Sequence, residues 1–563
     1  MSPLLKGLSI YGLFSFDNYN AHTISRTKTV DSYLATGRDT NGNLVFDQTR
    51  IGSNYLGYNR TNGGNRQFYE EAALNYSNTF GKNEIGGLLL YNQSDRVDAF
   101  AANFIASIPT RFQGIASRAT YAYDSKYLAE VNLGYNGSEN FEKGKRFGLF
   151  PSFGVGWVAS SEKFFEPVSS VVQFLKFRGS YGIVGGSNIG NGRRFAYIST
   201  VNTTNDNVYS FGQTTDNSYK GTDIGDYSTD VTWEKAKKLN LGAELRALKG
   251  AFSMTVDLFQ EDRTGIFLQR GDLPVYAGVL NSPWGNLGEI YNKGIDATFS
   301  YNKKITKDLS VEFRGNFTWN RATVVNNASA PWPYQWQQLI GRKLGQRFGL
   351  TALGLFQSKD EIANSPKQTG DIQPGDVKYK DLNGDGKIDN YDAGPIGYGS
   401  MPEMVYGFGP SVSYKGFAVG GWFKGISNVD ISVGGEGFQP FSQEGRGNLM
   451  SNITDRWTPE NPGNNHVYPR LTYPSSSNSN YVGSTWWLRN GAFLRLQNVE
   501  LSYTFQQKKL LKSIGLTNLR IYMIGYNLLT FSGFKEWDVE LGDGKGASYP
   551  LTKSFNFGIE CQL

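Results

Sequence analysis

Between Tyr406 and Phe423 the chain alternates around a two-residue turn. Tyr406, Phe408, Val412 and Tyr414 fall on one face, Lys415-Gly416 reverses the chain, and Phe417, Val419, Gly421 and Phe423 continue that face. A two-residue hairpin keeps residues i and i+3 on the same side, so the register closes correctly. The other face carries Ser411, Ser413, Ala418, Gly420 and Lys424. A hairpin with one apolar face must turn it toward a sandwich core or toward lipid.

Composition helps to choose. In 563 residues there is no linker, no low-complexity tract and no charge block. Aromatic residues reach 14% and glycines 68, a mixture that favours β-structure and aromatic belts. No run approaches the roughly 18 apolar residues of a membrane-spanning helix, and mean hydropathy is −0.42. A transmembrane barrel predicts this, because only alternate residues face lipid. The net charge of +6 is dispersed, so no nucleic-acid surface is indicated. Cys561 is the single cysteine and His22 and His466 the only histidines, which leaves no disulfide framework and no thiol metal site.

Taken in order, the alternation predicts about sixteen strands. Leu8 to Phe16 alternate, and Asn18 to Gln67 then reads as a long polar loop. Further strands are predicted around 72–76, 85–91, 119–123, 127–135, 147–157, 175–183, 239–245 and 252–258. Others fall near 288–303, 309–324, 406–414, 417–423, 488–505, 518–531 and 552–563. Long loops alternate with short turns throughout. In bacterial outer-membrane barrels the long loops are extracellular and the turns periplasmic. A soluble sandwich has shorter strands and no such asymmetry.

The segment DLNGDGKIDNYD sits in the loop predicted at about 325–403. It places Asp381, Asn383, Asp385, Asp389 and Asp392 at positions 1, 3, 5, 9 and 12 of a twelve-residue loop, with Gly386 at position 6 and the Lys387 carbonyl at position 7. That is the spacing of a calcium loop, in which alternate residues turn oxygens inward around a glycine-permitted bend. The flanks are not helical, so this is no EF-hand, and any Ca2+ would be structural. The alternative is a metal-free Asp/Asn/Gly surface turn. Loop aromatics Trp332, Tyr334, Trp336, Tyr481, Trp486 and Trp487 are candidates to stack on a substrate, with packing or an interfacial girdle as the alternative for each. No phosphate loop, HExxH, CxxC or convincing GxSxG is present, so the chain reads as a non-enzyme without catalytic residues or an organic cofactor.

Six stretches carry a resemblance: FPSFGVGWVASSEKFF (150–165), LKFRGSYGIVGGSN (175–188), NLGEIYNKGIDATFSY (286–301), GDVKYKDLNGDGKID (375–389) with the hairpin after it, WLRNGAFLRLQNVELSYTF (487–505) and LRIYMIGYNLLTFSG (519–533). They are similar to the C-terminal barrel of SusC/RagA-type TonB-linked outer-membrane transporters, in order along 1–563. The resemblance implies about sixteen strands of a 22-stranded plugged antiparallel barrel, with the first strands and the plug outside this sequence. It also implies TonB-dependent import of an oligosaccharide or peptide across the bacterial outer membrane, with a SusD-like lipoprotein lid and the TonB complex as partners. The rivals are a passive sixteen-stranded pore and, third, a secreted β-sheet adhesin or glycan-binding module. Two departures stand out. Family members commonly end on an aromatic residue where this chain has Leu563, and Asp538-Val539-Glu540 stands where an Asp-Pro-Glu is usual, which puts that loop's geometry in question.

Overall fold

Outward-facing alternation is satisfied by one large sheet. The computed structural model describes all residues except 1–5, 191–192, 204–207, 211, 213–217, 227–229, 280, 436, 442–448, 473–478, 506–510, 512, 514, 545, 547 and 563; Leu563 therefore lies outside the described residues. Sixteen antiparallel strands follow one another in chain order. They are β1 (Leu8–Thr27), β2 (Gly57–Phe80), β3 (Asn83–Asp98), β4 (Thr110–Tyr123), β5 (Tyr127–Ser138), β6 (Phe147–Val158), β7 (Val172–Gly186) and β8 (Glu234–Ala247). The second half comprises β9 (Phe252–Gln269), β10 (Trp284–Lys304), β11 (Leu309–Asn326), β12 (Met404–Tyr414), β13 (Phe417–Ser427), β14 (Phe493–Thr504), β15 (Asn518–Ser532) and β16 (Ser554–Gln562). Among the described residues the sheet is open, with β1 and β16 at its edges.

The predicted hairpin forms as expected. Tyr414 pairs with Phe417 and Val412 with Val419, and Lys415 and Gly416 take φ of 48° and 91°, the left-handed pair a two-residue turn demands. One face stays apolar across the sheet because pairing preserves parity: Val131 lies opposite Phe153, Phe153 opposite Tyr181, Tyr181 opposite Leu239 and Leu241 opposite Leu258. These side chains are exposed in large part, Val155 by 61% and Leu241 by 53%. On β5 the outward residues run from Tyr127 to Tyr135. At about 3.3 Å per residue and a tilt near 40°, that spacing is about 20 Å tall, close to the roughly 25 Å apolar band of an outer-membrane barrel.

The inner face is polar. Arg118 lies 3.6 Å from Glu130 and donates to Asn132 at 2.8 Å. Arg178 meets Asp257 at 2.7 Å and Glu244 at 3.2 Å. Lys238 and Arg263 share Glu261 at 3.3 and 3.0 Å. Arg520 reaches Glu560 at 3.4 Å and also Glu500. A charge on this wall keeps partners, whereas the same charge on the outer wall faces lipid.

Several strands run past their predicted upper ends, as Phe252–Gln269 does, and two boundaries change the pairing. The stretch Asn18–Gln67 is not one loop: β1 continues to Thr27 and pairs with β2 from Gly57, while Ser32–Arg38 and Leu44–Arg50 form a small hairpin at the tip. Strand pairing is a backbone property, and above the membrane neither face needs apolar residues, so the extension leaves no period. At 488–505 the sheet strand begins only at Phe493, because Leu488–Asn490 pairs with Asp430–Ser432 instead.

Candidate functional site: the outer loop cap

All the long connections leave one end of the sheet. Three of them, 327–403, 428–492 and 533–553, interlock into a cap with cores of its own. Leu355, Val377, Tyr379, Ile388 and Trp457 form one core. Ile431, Val433, Phe438, Ile453, Tyr468, Trp487, Phe493, Phe534 and Val539 form another. Short strand pairs stiffen the frame, Arg347–Gly349 with Gly394–Ile396 and Ala352–Leu355 with Val377–Tyr379.

A buried polar network joins the first two loops. The Asp376 carboxylate, 1% exposed, accepts from Arg470 Nε at 2.7 Å and from Asn480 Nδ2 at 2.7 Å. Asn480 Oδ1 accepts the Val377 amide at 2.8 Å, and its backbone carbonyl accepts Trp487 Nε1 at 2.7 Å. Gln368 donates to the Val377 carbonyl and accepts from the Tyr379 amide, both at 2.8 Å. Burial raises the Tyr379 hydroxyl well above its ordinary range and pushes Tyr481 up to about 12. The third loop is anchored by Arg495, 2% exposed, which binds Asp538 and lies 3.0 Å from Glu540. Asp538 also accepts the Glu540 amide at 3.0 Å, and Val539 is buried in the core. The Asp-Val-Glu departure thus still builds a capped turn, with valine packing where the family pattern has proline.

The sequence-predicted metal residues do share one loop. Asp381 accepts the amides of Gly384 at 2.6 Å and Gly386 at 2.9 Å. Both glycines have positive φ. These amides, that of Gly386 foremost, hold the Asp381 carboxyl below its ordinary range. Asn383 accepts from the Asp385 amide and Asp385 from the Lys387 amide, at 3.0 and 2.8 Å. Asp389 caps the turn Asn390–Asp392, and fully buried Asp392 accepts from Leu382 at 2.8 Å and Asp389 at 2.9 Å. Among the described residues no three or more acidic, histidine or cysteine side chains converge as a metal cradle. The carboxylates present satisfy the loop's own amides.

No family model matches the chain. Comparison with curated proteins is more informative: TonB-dependent receptor P3 of Formosa agariphila is 25% identical over 99% of this chain. The chain is similar to TonB-dependent receptors. It spans 57% of P3, and it is 24% identical over 79% of its length to TonB-dependent receptor SusC of Bacteroides thetaiotaomicron, spanning 43% of that protein. Among solved structures, the RagAB peptide transporter superposes with a TM-score of 0.72 at 20% identity, covering 100% of this chain and 60% of that one. The RagAB importer in its open-open state gives 0.73 at 20% identity, covering 99% and 59%. The sheet accordingly has the fold of the barrel wall in these structures.

In the cap the six candidate aromatics divide. Tyr334 and Trp336 stack at 4.5 Å, Tyr391 meets Tyr334 edge-on at 5.8 Å, and Trp336 Nε1 donates to the Tyr391 carbonyl at 2.8 Å. The Asn383 side chain donates to Tyr334 Oη at 3.4 Å, so this platform adjoins the Asp381–Asp392 loop. Trp332 is 52% exposed. Trp487 is corrected to a packing residue: it is 2% exposed, stacks on Tyr481 at 5.6 Å, and cannot touch a ligand in this arrangement. Tyr481 and Trp486 pack against the same core. Sequence reasoning missed Asp376, Arg470, Asn480 and Arg495. Arg495 left a usable signal, a cation inside an otherwise apolar strand start; Asp376 and Arg470 left none, because their partners are about a hundred residues away.

Proposed function

We propose that the chain forms the wall and outer cap of a TonB-driven importer in the bacterial outer membrane, not an enzyme, and that it carries an oligosaccharide or peptide beneath a SusD-like lipoprotein lid. The observation that carries this is the pairing of receptor similarity over 99% of the chain with a wall that is apolar outside, ion-paired inside and capped at one end only. RagAB, of like fold, is named for peptides; the Tyr334–Trp336 platform and Trp332 suit sugar rings equally well. An unpaired strand edge in lipid leaves backbone groups unsatisfied at several kcal/mol each, so β1 and β16 need further strands. A passive pore would need β1 to pair with β16. The test is uptake by cells carrying the chain within its whole receptor: loss on TonB depletion supports the importer, and persistent uptake establishes the pore.

Calcium in the Asp381–Asp392 loop rests on spacing alone. Calorimetric titration with Ca2+, repeated on Asp381→Ala, tests it. Heat from the parent protein that the variant loses supports a bound ion, and no heat from the parent removes it.

A further inference from the structure

Just above the apolar band the outer wall is not uniform. On β2–β5 the last apolar row is Ala72, Tyr91, Ile115 and Tyr135, and the row above it reads Glu70, Gln93, Gln113 and Gly137. That rim is closed on itself: Gln93 donates to Glu70 at 2.6 Å, Gln113 to Tyr91 Oη at 3.0 Å, and Arg111 meets Asp95 at 2.8 Å one rung higher. On β8–β11 the corresponding apolar row is Leu241, Leu258, Ile295 and Trp319, and the row above reads Leu239, Gln260, Lys293 and Arg321. Lys237 stands one rung higher, opposite Asp262.

Lys293 lies directly across from Arg321. Like charges in that position destabilise a sheet unless an anion answers them. Glu403 answers Arg321, with contacts of 3.0 and 2.8 Å, and also lies 3.7 Å from Lys343. Asp262 is engaged by Gln260 at 3.1 Å. Among the described residues no carboxylate lies within ion-pair distance of Lys237 or Lys293, and both are exposed. Glu289, four residues further up β10, is the remaining acidic group on this face among the described residues. Two unanswered ammonium groups at the edge of an apolar band, above Trp319, stand at the height of lipid headgroups.

We propose that Lys237 and Lys293, with the Arg321 guanidinium beside Lys293, seat a phosphate of an outer-leaflet lipid headgroup, while the β2–β5 rim does not. The lysine stems cover the top of the apolar row and their charges reach the headgroup layer. The site rests on the membrane-wall reading of this sheet.

The test uses the chain within its whole receptor in nanodiscs, with insertion first checked by heat-modifiable gel migration. Native mass spectrometry then compares bisphosphorylated lipid A, its dephosphorylated form and inorganic phosphate. The expected result is retention of the phosphorylated lipid only, weakened about tenfold in Lys237→Gln/Lys293→Gln, restored in Lys237→Arg/Lys293→Arg and unchanged in Arg111→Gln. Equal retention of both lipids by an inserted barrel overturns the rim site alone and needs no variant to fold. Equal retention by the parent and the Gln pair also overturns it, as does saturation by inorganic phosphate. A whole receptor that gives no inserted barrel overturns the membrane reading and the rim site together.

Discussion

The wall and the cap use the same kinds of residue in opposite ways. On the wall, Val131, Phe153 and Leu241 are exposed and the charged side chains pair within. In the cap, Val377, Phe438 and Trp487 are buried in cores of its own, as in a soluble domain. One chain is thus written for two solvents, and the boundary runs across the strands where Tyr91 gives way to Gln93, Ile295 to Lys293 and Trp319 to Arg321. Energy in the wall comes from area facing hydrocarbon, and in the cap from apolar area removed from water plus a few fully partnered buried charges.

The comparison can be broken most severely at Arg495. Replacing it with alanine strips Asp538 of its buried cation and leaves Glu540 with Lys424 alone, and a loss of about 3–5 kcal/mol is expected. Hydrogen exchange should show opening of 428–492 and 533–553 while β2–β9 stay protected; uniform loss across the wall would mean that wall and cap are one cooperative unit. Next comes Leu133→Arg in the apolar band, expected to cost about 2–4 kcal/mol of membrane folding near mid-bilayer. Thr298→Lys on the inner face beside Asp296 should cost close to nothing in the same urea titration, and equal costs would erase the inside-outside distinction. Asn480→Ala removes a buried bridge between two loops at about 1–3 kcal/mol. It should raise proteolytic nicking of the cap without changing barrel migration.

The smallest effect is one of pH. The Asp381 carboxyl is held below its ordinary value, so its contribution is present above the usual carboxylate pKa of about 3.9 and is lost as pH falls through the lowered folded value. Fluorescence of the neighbouring Trp336 should shift below about pH 4 in the parent and not in Asp381→Asn. A shift centred above pH 5 would assign the loop's acid sensitivity to another group.

All sixteen wall strands were legible because a period of two needs only local information: Tyr414 and Phe417 declare their pairing within a few residues. Their upper ends were not, since Thr23 and Thr61 pair by backbone alone. The cap was readable only where chemistry is local, as in the Asp381–Asp392 turn. Tyr334 and Trp336 were read as possible stackers and do stack on each other, whereas Trp487, adjacent to Trp486 in sequence, was indistinguishable from a surface aromatic until Phe438, Tyr468 and Tyr481 closed around it. Burial of that kind is decided by partners tens of residues away.

The span of the cap's contacts bears on how such a molecule is made. Asp376 meets Arg470 across 94 positions, and Arg347 meets Asp543 across 196. Contacts of such separation carry a large loop-closure cost and form slowly. They also need both segments on the same side of the bilayer, so they cannot form until each loop has been threaded outward. Biogenesis therefore passes through a stage in which the wall is inserted and the cap is still unmade, with its apolar segments bare to water. Proteases and quality-control factors at the cell surface would meet that species before the finished molecule.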